Sequence, residues 1–182
     1  FSSNPENMAY AAKLCASLGF DGVDINMGCP DKSIEKQGCG AAMIKNPERA
    51  KEIIRAAAQS GLPVSVKTRI GYNSENMGEW LTSVLEEKPA ALTVHLRTRK
   101  EMSKVPAHWE LMPEAVRIRD RVSPETLILG NGDVQDIAEA RVRAHESGAD
   151  GIMLGRAIFG NPWLFTERFD VSREEKLKAL LE

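Results

Sequence analysis

Five short apolar runs recur along the chain, and an amphipathic stretch follows most of them. Runs rich in Val, Ile and Leu between turn residues are typical of buried strands, whereas apolar residues at i, i+3 and i+4 are typical of helices. The pattern predicts strands at residues 22–26, 63–69, 91–97, 126–130 and 151–154. It predicts helices at residues 5–18, 47–60, 79–85, 112–120 and 137–147.

The helix boundaries have signals of their own. Two helices begin with an asparagine cap and a proline, which suits the first helical turn, at Asn4-Pro5 and Asn46-Pro47. Glycine, which readily adopts the left-handed conformation that ends a helix, follows at Gly19, Gly61 and Gly148. A last helix is predicted after Ser172, with an apolar stripe at Leu177, Leu180 and Leu181.

The alternation of strands and helices predicts an α/β fold with a parallel sheet. An open doubly wound sheet and a (β/α)8 TIM barrel both fit it. A barrel takes about 250 residues, so about five β/α units would form part of one, with about three units before Phe1. In both folds ligands bind at the carboxyl ends of the strands. Polar residues stand there, namely Asn26, Cys29, Lys67, Arg69, His95, Arg97, Asn131, Asp133 and Arg156.

The last two strand ends have the features of a phosphate site. Gly130-Asn131-Gly132-Asp133 and Gly155-Arg156 combine glycines, which let backbone approach a neighbour closely, with one fixed cation. The loops after the last two strands of TIM barrels frequently bind phosphate. Glycines that merely form turns are the alternative, but their presence at successive strand ends favours a phosphorylated cofactor or substrate.

Lys67 and His95 end the second and third predicted strands. A buried lysine is costly without a partner, so Lys67 either reaches solvent or serves as a point charge for the anionic or carbonyl edge of a bound ring. His95 is either a packed core histidine or a site residue. The neighbouring Arg97 and the position at a strand end favour the site.

Cys29 is the strongest candidate for chemistry. It follows Asn26 at a strand end and precedes a proline, and Gly28 is expected to leave room for a ligand beside the thiol. Cys15 is expected to pack in a helix, and Cys39 is a nearby rival. The cysteines lack the paired spacing of a metal site. A thiol that keeps its proton at neutral pH can act as a general acid toward a carbanion-like carbon.

The composition, with 42% hydrophobic and 27% charged residues, indicates a globular domain with enough apolar material for a core. No run approaches the ~18 apolar residues of a membrane span and no signal-like segment opens the sequence, so a cytoplasmic location is expected. A net charge of -2 argues against a broad basic surface. Any nucleic acid would therefore bind a local basic patch.

Six segments occur in a particular order and spacing over about residues 4–165. They are Asp24-Ile-Asn-Met-Gly-Cys-Pro30, Gly38-Cys-Gly-Ala-Ala-Met43, Val66-Lys-Thr-Arg69, Val94-His-Leu-Arg-Thr-Arg99, Gly130-Asn-Gly-Asp133, and Gly155-Arg156 with Gly160-Asn-Pro-Trp163. Together they resemble the tRNA-dihydrouridine synthase family. One tripeptide is weak evidence, whereas six segments in register are specific.

The resemblance implies an FMN-containing TIM barrel that reduces the C5–C6 double bond of uridines in tRNA, with NADPH as reductant. Matched by motif, Cys29 would donate the proton to C5 and Asn26 would help to position the uracil. The flavin ring would lie near Lys67 and His95. The ribityl phosphate would be held by Asn131, Gly132, Asp133, Gly155 and Arg156.

The resemblance also divides the chain into a partial FMN-binding barrel at residues 1–170 and the start of a helical tRNA-binding domain at residues 171–182. Contacts with tRNA are predicted for Arg97, Arg99 and Lys100, with Lys32, Lys36 and Lys104 as further cations of the patch. The expected protein is a monomer that binds no metal and no membrane. This piece of the barrel is expected to bind FMN poorly when alone.

Two other functions fit part of the pattern. An FMN barrel acting on a small molecule, of the dihydroorotate dehydrogenase or ene-reductase type, would share Lys67 and the phosphate site. It would not explain the combination of Asn26, Cys29 and the basic loop. A non-catalytic RNA-binding domain would not need Cys29, Lys67, His95 and Arg156. A flavin spectrum of the full-length protein would exclude such a domain.

Overall fold

The computed structural model describes residues 1–166 and 170–179. Its single sheet confirms all five predicted strands, each with ends within two residues of the prediction. The strands are β1 (Val23–Asn26), β2 (Val64–Arg69), β3 (Ala91–His95), β4 (Leu127–Asn131) and β5 (Gly151–Met153).

Every strand pairs in parallel with the next strand in the chain, so that the sheet order is β1-β2-β3-β4-β5. A doubly wound sheet would reverse its order at one point, because its helices lie on both faces. A constant order with right-handed crossovers places all the helices on one face, as in a barrel. The topology therefore favours the barrel over the open sheet.

The predicted helices are all present, and one further short helix was not predicted. The helices are α1 (Pro5–Ser17), α2 (Lys32–Glu35), α3 (Pro47–Ala58), α4 (Met77–Leu85), α5 (Met112–Val122), α6 (Ile137–Ser147) and α7 (Arg173–Ala179). The unpredicted α2 and a 3-10 segment at Gly40–Lys45 lie between β1 and α3. Both are too short to show a helical period in the sequence. Across the described residues, each helix is too short or too polar to cross a bilayer.

The predicted helix boundaries are confirmed by their hydrogen bonds. The side-chain oxygen of Asn4 accepts from the Asn7 N–H at 3.1 Å, and Asn46 caps α3 in the same way. Gly148 ends α6 with a φ of 74°, which a glycine adopts without strain.

The helix predicted after Ser172 is present as α7, and Ser172 and Glu175 form a reciprocal capping box at its start. Of the predicted apolar stripe on this helix, Leu177 is exposed, whereas Leu180 and Leu181 lie outside the described residues. The division at residue 170 stays a prediction, and part of the proposed second domain, residues 180–182, lies outside the described chain.

The two faces of the sheet differ in chemistry. One face packs its apolar side chains against the helices, with Ile25, Val66, Leu92, Val94 and Ile128 all buried in one core. Because side chains alternate along a strand, the residues between them face the other side. That side carries Asp24, Ser65, Lys67, Thr93, His95 and Asn131. The apolar face holds the fold together, and the polar face is available for a ligand.

The register of the strands brings distant polar residues into neighbouring rows. Asn26 is paired with Lys67, and Arg69 is paired with His95. His95 is in turn opposite Asn131, which is opposite Met153. Residues from all five strands therefore meet at one edge of the sheet.

Large apolar side chains are exposed near both outer strands of the described sheet. Tyr10 and Leu14 are exposed on α1 and Leu18 just after it, ahead of β1, and Phe159 is exposed after β5. Closure of a (β/α)8 barrel would cover such edges with further strands and helices.

Replacement of Leu92 by alanine tests the apolar face. Leu92 is fully buried, so Leu92→Ala should lower the free energy of unfolding by about 2–5 kcal/mol through lost burial and a cavity. Leu127→Ala is the matched control, because Leu127 is 54% exposed on the next strand and its loss should cost less than about 0.5 kcal/mol. Chemical denaturation measures both. Equal losses would mean that the two faces have been assigned wrongly.

Candidate functional site

A pocket of about 530 Å³ opens at the carboxyl edge of β2 to β5. This volume is typical of pockets for small molecules and cofactors. The structure brings all seven residues predicted to bind a cofactor together in its wall, namely Lys67, His95, Asn131, Gly132, Asp133, Gly155 and Arg156. Arg97 and Met153 also line it.

The pocket carries more positive than negative charge. Lys67, Arg97 and Arg156 face a single carboxylate, Asp133. Burial lowers the pKa of Lys67, and the positive charge of Arg69 lowers it further. Within residues 1–166 and 170–179 no side chain forms an ion pair or hydrogen bond with the Lys67 ammonium. An anionic or carbonyl-bearing ligand would supply the partner that Lys67 lacks.

Asp133 joins three parts of the pocket wall. Its carboxylate accepts hydrogen bonds from the buried Arg97, from the exposed Arg156 at 3.1 Å and from the backbone N–H of Ala107 at 2.9 Å. The hydrogen bond from Arg97 lowers the pKa of Asp133. Asp133 also has a φ of 59°, an uncommon conformation for a non-glycine residue. This carboxylate therefore orients Arg156 at the rim while leaving other guanidinium donors available to a ligand.

His95 is held in its neutral form. Burial lowers its pKa to about 3, with further contributions from the positive charges of Arg69, Lys67 and Arg97. The Arg97 Nη1 lies 3.3 Å from the His95 Nε2. Because a guanidinium only donates hydrogen bonds, Nε2 must accept and Nδ1 carries the proton. The side chain is thus a neutral histidine of one defined tautomer.

The glycines of the predicted phosphate site differ in what they approach. A Cβ at Gly130 would lie 2.7 Å from the Trp109 ring, and one at Gly132 would lie 2.6 Å from the Ala107 Cβ. These two glycines therefore allow close packing of protein against protein. A Cβ at Gly155 would meet nothing within 4 Å. Of these three glycines, only Gly155 has open space at that position, and it lines the pocket.

The residues 27–31 form the Cys29 loop, and hydrogen bonds hold its backbone from several sides. The side-chain oxygen of Asn26 accepts from the N–H groups of Gly28 and Cys29, each at 3.0 Å. Arg69 Nε donates to the Gly28 carbonyl at 2.7 Å, and the Ala41 N–H donates to the Cys29 carbonyl at 2.9 Å. The conformation of the loop is therefore set by residues on β1, on β2 and in the 3-10 segment.

Cys29 is half-buried, whereas its rival Cys39 is only 4% exposed. Burial is the main reason that the pKa values of Lys67 and Arg69 fall, and a negative charge on Cys29 acts on both in the opposite direction. The thiol therefore lies within electrostatic reach of both cations. The prediction for Gly28 is wrong, because a Cβ there would lie 3.2 Å from the Thr68 backbone. Gly28 permits packing on β2 and does not provide room for a ligand.

The sequence assigned no role to two residues of the site, Arg69 and Gly40, although Arg69 was placed at the ligand-binding edge. Arg69 is 7% exposed and donates to the carbonyl groups of Gly28 and Thr98. Gly40 lies against Cys29, where a Cβ would come within 2.6 Å of its carbonyl oxygen. A charge at the end of an apolar strand was a usable signal for Arg69. Gly40 had no such signal, because only the folded chain places it beside Cys29.

The predicted basic patch is divided by the structure. Arg97 is 3% exposed and forms part of the pocket wall, and Arg99 pairs with Glu35. The Arg97 guanidinium pairs with Asp133 and the Arg99 guanidinium pairs with Glu35, so neither is a free cation at the surface as the sequence led us to expect. The exposed cations of the patch are Lys32, Lys36, Lys100 and Lys104.

Comparison with solved structures extends the account of the fold. A variant of morphinone reductase in complex with tetrahydroNAD matches with a TM-score of 0.64 at 18% sequence identity. The match covers 89% of this chain and 47% of that chain. Together with the order of the strands, this likeness confirms the predicted fold class, a portion of a (β/α)8 TIM barrel.

Comparison with known sequences agrees with the resemblance found by motif. A "Probable tRNA-dihydrouridine synthase 2" of Bacillus subtilis is 47% identical over the whole chain, and a "Probable tRNA-dihydrouridine synthase" of Staphylococcus epidermidis is 46% identical. The chain spans 55% of the length of each of these relatives. The family model "Dihydrouridine synthase (Dus)" matches residues 1–181. The chain therefore belongs to the dihydrouridine synthase family.

Proposed function

We propose that this chain is the catalytic, FMN-binding part of a tRNA-dihydrouridine synthase that uses NADPH as reductant. The observation that carries the proposal is the half-buried Cys29 on a firmly held loop, within electrostatic reach of a cationic pocket. The family and the names of the relatives support the choice of tRNA over a small molecule as substrate.

The pocket fits FMN in both size and charge. Arg156 and the open space at Gly155 suit a terminal phosphate, because the guanidinium supplies donors and no side chain blocks the approach. Lys67 and neutral His95 line the same pocket and suit the polar edge of the flavin ring. When bound there and reduced by NADPH, FMN supplies hydride chemistry.

Reduction of the uracil C5–C6 bond requires a hydride at C6 and a proton at C5. Because this bond is conjugated with the C4 carbonyl, the electron pair displaced from it moves toward C5 and O4. Cys29 donates its thiol proton to C5, which completes the saturated ring and leaves a thiolate on the protein. The positive charges of Lys67 and Arg69 stabilise that thiolate until it regains a proton from solvent.

Asn26 has one half of its amide available to the base. Its side-chain oxygen already accepts the two N–H groups of the Cys29 loop. The NH₂ group is therefore the part that can meet a substrate, and it suits a carbonyl oxygen of uracil. In this way one residue holds the loop of the proton donor and orients the base beside it.

Recognition of tRNA requires the target uridine to leave the base stack and enter the pocket. The exposed Lys100, with Lys104, Lys32 and Lys36, supplies charges that can contact phosphates on either side of the uridine. The predicted contacts of Arg97 and Arg99 with tRNA would require each guanidinium to leave its carboxylate. The monomeric state, the cytoplasmic location and the helical tRNA-binding domain stay predictions.

Replacement of Cys29 in the complete protein tests the proposed function. Cys29→Ala should lower dihydrouridine formation in tRNA at least about 100-fold, because the proton donor is lost, while FMN and tRNA binding persist. Cys39→Ala is the matched control and should have a mild effect, since Cys39 is buried elsewhere. Mass spectrometry of the tRNA measures the product. Unchanged activity of Cys29→Ala would refute its role, and reduction of a small substrate but never of tRNA would favour the alternative function.

Replacement of Arg156 tests the phosphate site. Arg156→Ala should weaken FMN binding by about 10- to 100-fold, because a charge-assisted hydrogen bond to the phosphate is lost. Arg117→Ala is a matched control, since both arginine side chains are about equally exposed, at 69% and 68%, and both pair with a carboxylate. Flavin absorbance after dialysis measures occupancy. Full retention of FMN by Arg156→Ala would contradict the assignment.

The protonation of His95 gives a test by pH. Its imidazole NMR signals should stay those of the neutral form from pH 8 down to about pH 4, because its pKa is about 3. His108 is the internal reference, since its hydrogen bond to Glu101 raises its pKa above 6.5. The unfolded chain binds this proton more readily than the folded protein does. The contribution of His95 to the free energy of unfolding should therefore fall as the pH drops from its ordinary pKa of 6.5 toward about 3. The signal that is missing from the His95→Gln spectrum belongs to His95. Titration of that signal near neutral pH would contradict the neutral form of His95.

A further inference from the structure

Arg99 is built into the wall that supports the Cys29 loop. Its Nε lies 2.9 Å from both carboxylate oxygens of Glu35, and its Nη2 donates to the same carboxylate. Nη2 also lies 3.4 Å from the Pro30 carbonyl, one residue after Cys29. A single guanidinium thus contacts the loop itself and the helix α2 that follows it.

The backbone of Arg99 is fixed in turn by the loop after β2. The Arg99 N–H donates to the Gly71 carbonyl and the Lys100 N–H donates to the Tyr72 carbonyl, each at 2.9 Å. Two cations lie over the Tyr72 ring, with the Lys45 ammonium 4.4 Å and the Arg99 guanidinium 5.5 Å from its centre. The guanidinium is therefore held from both ends.

Glu35 is stabilised as a carboxylate by this arrangement. Burial alone would raise its pKa, but hydrogen bonds from Arg99 and Tyr72 and the charges of Arg99 and Lys45 lower it. The Glu35 side chain is only 10% exposed, so removal of Arg99 to a phosphate would leave a largely buried charge without its main partner. Lys100, the next residue, is exposed to solvent.

We infer that Arg99 and Glu35 form a positioning pair that holds the Cys29 loop in place, and that Arg99 is not a contact for tRNA phosphate. The inference rests on the proposed function, in which Cys29 donates the proton. In the chain, Arg69 holds the carbonyl before Cys29 and Arg99 holds the carbonyl after it. Loss of the second contact frees one side of the loop and misplaces the thiol relative to C5.

Neutral variants of the pair, made in the complete protein, distinguish the two roles, because each role predicts a different change in kcat and in KM for tRNA. If the pair positions the loop, Arg99→Gln and Glu35→Gln should each lower kcat about tenfold and leave KM for tRNA within about twofold, with the double variant no worse than either single one. If Arg99 binds phosphate, Arg99→Gln should raise KM, and Glu35→Gln should lower KM because a competing carboxylate is gone. Either of these KM changes with kcat unchanged would overturn the inference.

Two further variants control for charge and for folding. Lys100→Gln removes a cation from the next position. It should raise KM for tRNA, because a phosphate contact is lost, and leave kcat unchanged. Arg99→Lys keeps the charge but loses the planar fork, so it should lower kcat in the same direction as Arg99→Gln if the pair positions the loop. A phosphate contact would tolerate the lysine. Full activity of Arg99→Lys would therefore count against positioning, even where Arg99→Gln folds poorly.

Alkylation of Cys29 tests the pair without reference to the reaction. Iodoacetamide labelling, followed residue by residue with mass spectrometry, should be at least about threefold faster at Cys29 in Arg99→Gln and Glu35→Gln than in Lys100→Gln, because a loosened loop exposes the half-buried thiol. Labelling of Cys15 is the internal reference. If the unaltered protein forms no dihydrouridine, the proposed function fails, yet faster labelling at Cys29 would still support the pair. An unchanged labelling rate would overturn it.

Discussion

Positive charge concentrated at one edge of the sheet is the constraint on which the site depends. Lys67 and Arg69 lie on β2, and Arg97 follows the end of the neighbouring β3. Burial leaves little water to screen the interactions among these charges. Asp133 offsets part of this charge, and His95 avoids adding to it by staying neutral. What remains is a cationic surface suited to phosphate, to an electron-rich ring and to a transient thiolate.

The same constraint links the chemistry to the fold. Buried arginines need acceptors, and here they find backbone carbonyl groups and carboxylates on neighbouring loops. Arg69 joins its own β/α unit to the units on either side, through the carbonyl groups of Gly28 and Thr98. Arg99 reaches from the loop after β3 to Pro30 and Glu35 in the unit of β1. In the proposed mechanism, the contacts that hold the strand ends together also position the proton donor.

Membership of the dihydrouridine synthase family and the barrel-like strand order account for this arrangement. Each β/α unit contributes one strand end, and the pocket needs several of them at once. The chain supplies five such ends and spans 55% of the length of its relatives, so the proposed activity belongs to the complete protein. The polar inner face carries the site while the helices cover the apolar one.

The sequence by itself determined the strands, the long helices and the edge at which Lys67, His95 and Arg156 gather, because these follow from local periodicity, capping and the rules of parallel sheets. It also indicated Cys29 through a set of motifs. Only the tertiary structure decided that Gly28 packs on a strand, that Arg97 pairs with Asp133, and that Arg99 pairs with Glu35 on α2. Those features depend on contacts between residues far apart in the chain, which no local pattern records.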